Sequence, residues 1–231
     1  MTTLVYEPSE RADIAFPPEW DPGFRLSPAW RGWQRYAKRS IDMVGAAALL
    51  ALLLPVLGLI ALAIRLDSPG GVIFRQTRSG KGGRPFKYYK FRGMVADAEA
   101  RKAELEALNE ADGPIFKIRN DPRVTRVGRI IRRTSLDELP QLWSVLRGDM
   151  SLVGPRPPIP AEVQRYEPWH VNRLTVVGGM TGLWQVSGRS DLSFDEMVRL
   201  DLDYIATWSL WLDIRILLRT FGAVISSTGA Y

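Results

Sequence analysis

The sequence predicts an α+β, mostly helical protein. It comprises an N-terminal re-entrant membrane helix broken at Pro55, a small cytosolic globular domain, and interfacial amphipathic helices. Three observations carry this expectation. Residues 43–64 form an apolar run of 22 residues without a charge, long enough as a helix to cover roughly 33 Å at about 1.5 Å per residue, close to a hydrocarbon core. Residues 71–92 alternate short apolar and aromatic runs with glycines, which suggests a small β-hairpin. The stretches 95–111, 135–146 and 194–225 read as helical.

The expected elements divide the chain at 37 and 66. Residues 1–30 hold five prolines (Pro8, Pro17, Pro18, Pro22, Pro28) and five acids against Arg11 and Arg25, so 1–37 reads as a flexible or loosely docked acidic arm. The membrane helix occupies 38–66. Its flanks are both cationic: Arg31, Arg35, Lys38 and Arg39 before, Arg65, Arg75, Arg78 and Lys81 after. Positive charge on both sides conflicts with a single crossing. Pro55, near the middle, removes a helix hydrogen bond and favours a bend. A segment that enters, bends at Leu54-Pro55 and returns satisfies both facts; a kinked spanning helix is the alternative. Residues 67–231 then form the cytosolic, membrane-associated domain. Within it, 154–188 is Gly/Pro-punctuated and irregular. The stripe Trp208, Trp211, Ile214, Leu217, Leu218 and Phe221 suits either a core or the head-group layer, where indoles and nearby arginines stay partly wet.

Composition narrows the chemistry. The 231 residues contain no cysteine and one histidine, His170, which removes disulfides, thiolate metal sites, cysteine nucleophiles and multi-histidine centres. Carboxylates, Lys/Arg, hydroxyls and backbone amides remain. A net charge of +6 with pI about 9.8 points to anionic partners. No P-loop or Gly-x-Gly-x-x-Gly motif occurs.

The adjacent acids Asp137 and Glu138 in SLDELPQL stand among Arg129, Arg132, Arg133 and Arg147. Neighbours on a helix diverge by about 100°, so the two suit separate roles, one attacking and one holding a cation. Pro140 places them near a helix N-terminus, where anions are favoured. The structural alternative is a capping box, Ser135 with Glu138. Arg156 sits on a proline-held loop, GPRPP, rigid enough for two-pronged phosphate recognition or simply a turn. Lys90-Phe91-Arg92 presents two cations around an aromatic. The series Arg119, Arg123, Arg126, Arg129, Arg132 and Arg133 reads as a solvated or lipid-facing basic surface.

Together these motifs resemble a family. From Lys38 onward, KRSIDMVGA, GVIFRQTRSGKGGRPFKYYKFRGM, DPRVTRVGRIIRRTSLDELPQLWSVLRGDMSLVGPRPP, TGLWQVSGR and DLDYIATWSLWLDIRILLRT follow the order seen in the bacterial sugar transferases that act on polyprenyl phosphate, the monotopic phosphoglycosyl transferases. The resemblance implies transfer of a sugar 1-phosphate from a UDP-sugar to polyprenyl (undecaprenyl) phosphate with release of UMP, a first membrane step of exopolysaccharide synthesis at the cytoplasmic face of a bacterial inner membrane. It implies Asp137 as a nucleophile that carries the phosphosugar, Mg²⁺ against Asp137 and Glu138, and Arg156 on nucleotide phosphate. Lys90, Arg92, Arg133 and Gln185 complete the expected substrate-binding set, with galactose or glucose favoured over N-acetylated sugars. Gly93 departs from the family's usual hydroxyl residue, and Val177-Gly178-Gly179 from its usual Lys-Pro-Gly. The partners expected are polyprenyl phosphate, UDP-sugar and inner-membrane lipids, not nucleic acid, whose fold signatures and stacking aromatics are missing. A non-catalytic, membrane-anchored scaffold is the alternative; it would not need DELPQ, GPRP and KFR together.

Overall fold

The computed structural model of the chain describes residues 24–226 apart from 111, 112, 117, 119 and 189–191. Most of the expected acidic arm, and Arg119 of the basic series, lie outside the described residues. The final stretch of the arm is docked rather than loose. The Ser27 amide donates to the Ile205 carbonyl at 3.2 Å, the Trp30 indole N–H donates to the same carbonyl at 3.0 Å, and the Trp30 ring stacks on Trp208 at 4.0 Å between centroids.

The apolar run lies in one helix, α1 (Gln34–Asp67), continuous through Pro55. The expected break is therefore not an interruption of helical structure. Proline's fixed φ suits a helix, and its ring removes a single hydrogen bond to the carbonyl four residues earlier. What α1 touches is more informative. Its N-terminal part is held by Lys38, whose ammonium lies 2.6 Å from Asp213 and 3.0 Å from the Val153 carbonyl. Arg39 donates to the carbonyls of Val145 and Leu146 at 2.6 and 2.9 Å, and Asp42 accepts the Leu152 amide at 3.0 Å. Its C-terminal part packs Ile60 and Ile64 against Phe91 and Ile131, and Asp67 accepts the Val127 amide at 3.0 Å. Both ends thus grip one body, while Leu52, Leu54 and Leu59 between them stand exposed.

The expected hairpin forms from β1 (Ile73–Ser79) and β2 (Pro85–Phe91), antiparallel with Phe74 opposite Lys90 and Gln76 opposite Tyr88. Gly82 and Gly83, at φ of 64° and 71°, supply the left-handed residues that its connection requires. After it come α2 (Arg126–Arg133), a 3₁₀ turn at Leu136–Glu138, and α3 (Gln141–Arg147). The strand β3 (Ser151–Val153) and the short helix α4 (Pro160–Val163) precede β4 (Gly179–Thr181), which pairs in parallel with β3. Two helices, α5 (Phe194–Thr207) and α6 (Leu210–Ser226), complete the described chain. The main core joins Ala46 of α1, Tyr88, Leu142, Val145 and Met150 to Tyr204, Ile205, Trp208 and Ile216.

One expectation needs correction and one open choice is resolved. Among its described residues the stretch 95–111 forms no α-helix; Ala100–Leu108 is a 3₁₀ helix with no buried residue. Without an apolar stripe against the core, its good helix formers gain little from α geometry. The C-terminal stripe is split. Trp208 is buried in the core and Leu217 packs against it, whereas Trp211, Ile214, Leu218 and Phe221 form an exposed apolar face on α6.

Candidate active site

The local chain path presents the acid pair unusually. After α2, Ser135 adopts a left-handed conformation, φ 56°, a costly choice for a residue with a side chain. This turns the chain sharply, so the following 3₁₀ turn places Asp137 and Glu138 between α2 and α3. The capping box does not form: Ser135 makes no side-chain cap, and Glu138 instead binds Arg156 at 2.9 Å. Asp137 is buried, yet it accepts no hydrogen bond from the described residues.

Asp137 opens into a cleft of about 290 Å³. Its floor is one face of the hairpin. Because side chains alternate along a strand, Phe74, Gln76 and Arg78 of β1 share that face with Tyr88 and Lys90 of β2. Lys90 lies over the Phe74 ring at 5.3 Å, and Arg78 over the Tyr88 ring at 4.9 Å. Tyr88, fully buried, accepts at its hydroxyl from Gln141 at 2.5 Å. Arg78 also donates to the Pro157 carbonyl at 2.9 Å, and the Ser79 amide donates to the Pro158 carbonyl at 2.8 Å. The GPRPP loop is thereby tied to the hairpin.

The charges distort one another. Burial, reinforced by Glu138 next door, pushes the Asp137 carboxyl up to about 6 against the pull of Lys90, Arg132 and Arg156. Burial pushes Lys90 down to about 8, opposed by Asp137. For Glu138, burial acts upward, but the Arg156 guanidinium together with Lys90 and Arg78 outweighs it and holds the carboxyl below its ordinary value. Two adjacent carboxylates of divergent acidity, beside cations in a cleft, are arranged for chemistry rather than for stability.

The sequence-derived site residues fare unevenly. Asp137, Lys90 and Arg92 line the cleft. Arg92, however, is committed to the end of α1, donating to Ser68 at 2.7 Å and to the Pro69 carbonyl. Arg156 holds Glu138 and is not part of the cleft lining. Arg133 is exposed on α2; its neighbour Arg132, one residue around the helix, lines the cleft instead. Gln185 donates to the Met180 carbonyl at 3.4 Å and lies outside the cleft lining. Arg123 is no surface cation either. It is buried, gripped by Asp121 at 2.7 Å and donating to the Ala98 carbonyl at 3.1 Å. Gly93 allows α2 to lie close: a Cβ there would meet Arg132 at 3.1 Å, and one on Gly128 would meet the Gly93 carbonyl at 1.9 Å.

The donors fit Mg²⁺ as phosphate-binding proteins hold it. Among the described residues no group of three or more metal-binding side chains converges, and Mg²⁺ is commonly held by one or two carboxylates with substrate phosphates completing the shell. Asp137 is free to act in that way, as is the Glu138 oxygen that Arg156 leaves unused.

Residues 33–227 match the family model described as bacterial sugar transferase. The chain belongs to the bacterial sugar transferase family. It is 48% identical over 204 residues to the UDP-glucose:undecaprenyl-phosphate glucose-1-phosphate transferase of Caulobacter vibrioides, covering 84% of this chain and 72% of that protein. It is 41% identical over 199 residues to the exopolysaccharide production protein ExoY of Rhizobium meliloti, covering 84% and 88%. It is 47% identical over 196 residues to the galactosyl transferase CpsE of Streptococcus agalactiae, covering 84% of this chain and 43% of that protein. This sugar transferase chain therefore spans less than half the length of some curated relatives and most of others. In every alignment the shared part is long enough to include the acid pair and most of the cleft.

Proposed function

We propose that the protein transfers a hexose 1-phosphate from a UDP-hexose to undecaprenyl phosphate through a covalent phosphosugar on Asp137. The observation that carries this is Asp137 itself: a buried carboxylate with no hydrogen-bond donor among the described residues, facing a cleft lined by Lys90, Arg78 and Arg132. Such a group is poorly placed for stability and well placed to attack phosphorus. In the first step an Asp137 oxygen bonds to the sugar-bearing phosphorus, the bridging P–O bond breaks, and UMP leaves with the electron pair. In the second, an oxygen of the lipid phosphate attacks the same phosphorus, giving the lipid diphosphate sugar and freeing the carboxylate. Lys90, Arg78 and Arg132 hold the phosphate oxygens as charge redistributes. Arg156 fixes Glu138. Mg²⁺ held by Asp137 and Glu138 would neutralise phosphate charge and favour departure of UMP. Relatives named as galactose or glucose phosphotransferases support a hexose donor. Release of UMP by the purified chain from UDP-galactose or UDP-glucose, dependent on undecaprenyl phosphate and Mg²⁺, is the expected result. A chain that binds these components and releases no UMP with any UDP-sugar would instead be a scaffold.

The acidities set a pH profile. Asp137 must be ionised, so kcat/KM falls as pH drops through about 6, or lower where Mg²⁺ competes with the proton. Lys90 loses its charge as pH rises through about 8, and activity falls with it. Lys90→Arg, whose guanidinium keeps its proton, is expected to remove the alkaline limb. An unchanged limb would assign it to another group.

We also propose that α1 re-enters the membrane, with both ends on the cytoplasmic face of the inner membrane. A crossing helix would separate its ends by roughly 30 Å of hydrocarbon. Contacts of Lys38 and of Asp67 with one body support a return to the same side. The exposed face Trp211, Ile214, Leu218 and Phe221 suits the interface below it. Single cysteines at Ser40 and Ser68, in a chain with none of its own, are expected to label only after the inner membrane is permeabilised. Labelling of either one from the periplasm would defeat this topology.

A further inference from the structure

The cleft is not uniform. Its hairpin floor is charged, and the GPRPP side contributes Glu162, which shares the surroundings of Arg78. A different wall is built by the segment after the KFR motif. There Val95 pairs its amide with the Arg123 carbonyl at 2.9 Å, Ala98 accepts from Arg123, and Phe116 covers the Arg123 guanidinium at 5.2 Å. Apart from the exposed Glu99, the side chains of this wall that face the cleft are mostly apolar and aromatic. Its buried cation among the described residues, Arg123, is already fixed by Asp121 through contacts at 2.9 and 2.7 Å. The other cation, Lys102, reaches over Phe116 at 5.2 Å on a flexible stem with no carboxylate partner among the described residues.

We infer that the wall formed by Val95, Ala98, Phe116 and Arg123 receives the planar base of the nucleotide donor, with the half-buried Phe116 ring as its stacking surface. The inference rests on the transferase reading above and adds which wall of the cleft reads the nucleoside. With the reacting phosphorus at Asp137, the two halves of the donor must leave in different directions. A hexose presents hydroxyls and needs polar partners, and Gln76 and Glu162 stand on the Arg78 side. A pyrimidine presents apolar faces and a polar edge. An aromatic ring supplies the first, and a guanidinium held in plane by a carboxylate supplies a rigid support. Arg123 cannot shift to follow a ligand, because three of its donor contacts are taken by Asp121 and Ala98. Lys102 can move aside, and its ammonium then stands near the ribose phosphate.

Two probes separate the base from the phosphate: UMP, and ribose 5-phosphate, which lacks the base. Their binding is measured by titration calorimetry to the full chain in lipid nanodiscs. Phe116→Leu keeps apolar volume and removes the π face; Phe116→Ala removes both. Stacking of one base on an aromatic side chain corresponds to about a 5- to 150-fold change in affinity. We expect Phe116→Ala to weaken UMP binding within that range and Phe116→Leu by a smaller factor, with ribose 5-phosphate unaffected by either and the thermal midpoint of the Leu variant unchanged. UMP affinity indifferent to both changes would overturn the inference, as would equal losses for both probes. A shift in preference between UDP-glucose and UDP-galactose at constant UMP affinity would also overturn it, by placing the hexose on this wall. Failure of the unaltered chain to bind UMP would overturn the transferase reading, and the inference with it.

Discussion

Asp137→Asn is expected to abolish turnover while leaving the protein folded and on the membrane. The amide matches the carboxylate in shape but cannot form the bond to phosphorus. Loss of a covalent nucleophile costs about 10⁴-fold or more. The stability effect runs the other way. The Asp137 carboxyl, pushed up to about 6 in the fold, binds its proton more tightly there than in the unfolded chain. Its favourable contribution is therefore complete below the ordinary aspartate range and is lost as pH rises through about 6. At pH 7 the ionised group opposes folding, by up to about 3 kcal/mol for a shift of this size. The Asn variant is expected to melt at or above the native temperature at pH 7, with the advantage gone near pH 4. UMP release above about 1% of the native rate would remove Asp137 from the nucleophile role. A lower melting temperature at pH 7 would mean that the carboxylate is structural.

How far the site could be read from the chain depends on the range of the interactions that make it. The hairpin was legible because β1 and β2 are local, with strand alternation and a glycine-rich connection. The same alternation contained Gln76 and Arg78 as companions of Lys90 on one face, a signal available once the register is known. Arg132 lines the cleft and Arg133 does not, because neighbouring helix positions point about 100° apart and the phase of α2 is set by its contact with Gly93, far away in sequence. Arg123 looked like one more cation of a basic series. Its burial depends on Asp121 two residues earlier and on Ala98 and Phe116, so charge counting alone could not place it. The pairing of β3 with β4 joins two three-residue strands, too short for any periodicity. The membrane helix was legible by composition, but its attachment at both ends rests on tertiary contacts such as Lys38 with Asp213. The Ser135–Glu138 capping signal was real as a pattern and lost to a stronger partner, because a charge-assisted bond to Arg156 exceeds a neutral cap.

That bond sets the second large effect. Arg156 was expected on nucleotide phosphate; the structure gives it to Glu138 at 2.9 Å, with both side chains largely shielded from water. Arg156→Met would leave Glu138 a buried carboxylate without its cation. Breaking such a pair costs about 3–5 kcal/mol, and partial exposure here places the expectation near the lower end. Activity is expected to fall by about 100-fold or more, because Glu138 would then take up a proton at higher pH and lose its fixed position beside Asp137. Arg156→Lys keeps the charge and loses the planar reach, so an intermediate loss is expected. The kinetic split tells the two roles apart. An arginine that holds donor phosphate raises KM for the UDP-sugar; one that fixes Glu138 lowers kcat with KM little changed, which is the result expected here. Adding Glu138→Gln to Arg156→Met should restore part of the stability, since no charge is left unpaired, and none of the rate. The coupling between the two sites in that cycle should be on the order of 1–3 kcal/mol. Strict additivity, or a loss confined to KM, would return Arg156 to the donor phosphate and leave Glu138 without its positioning partner.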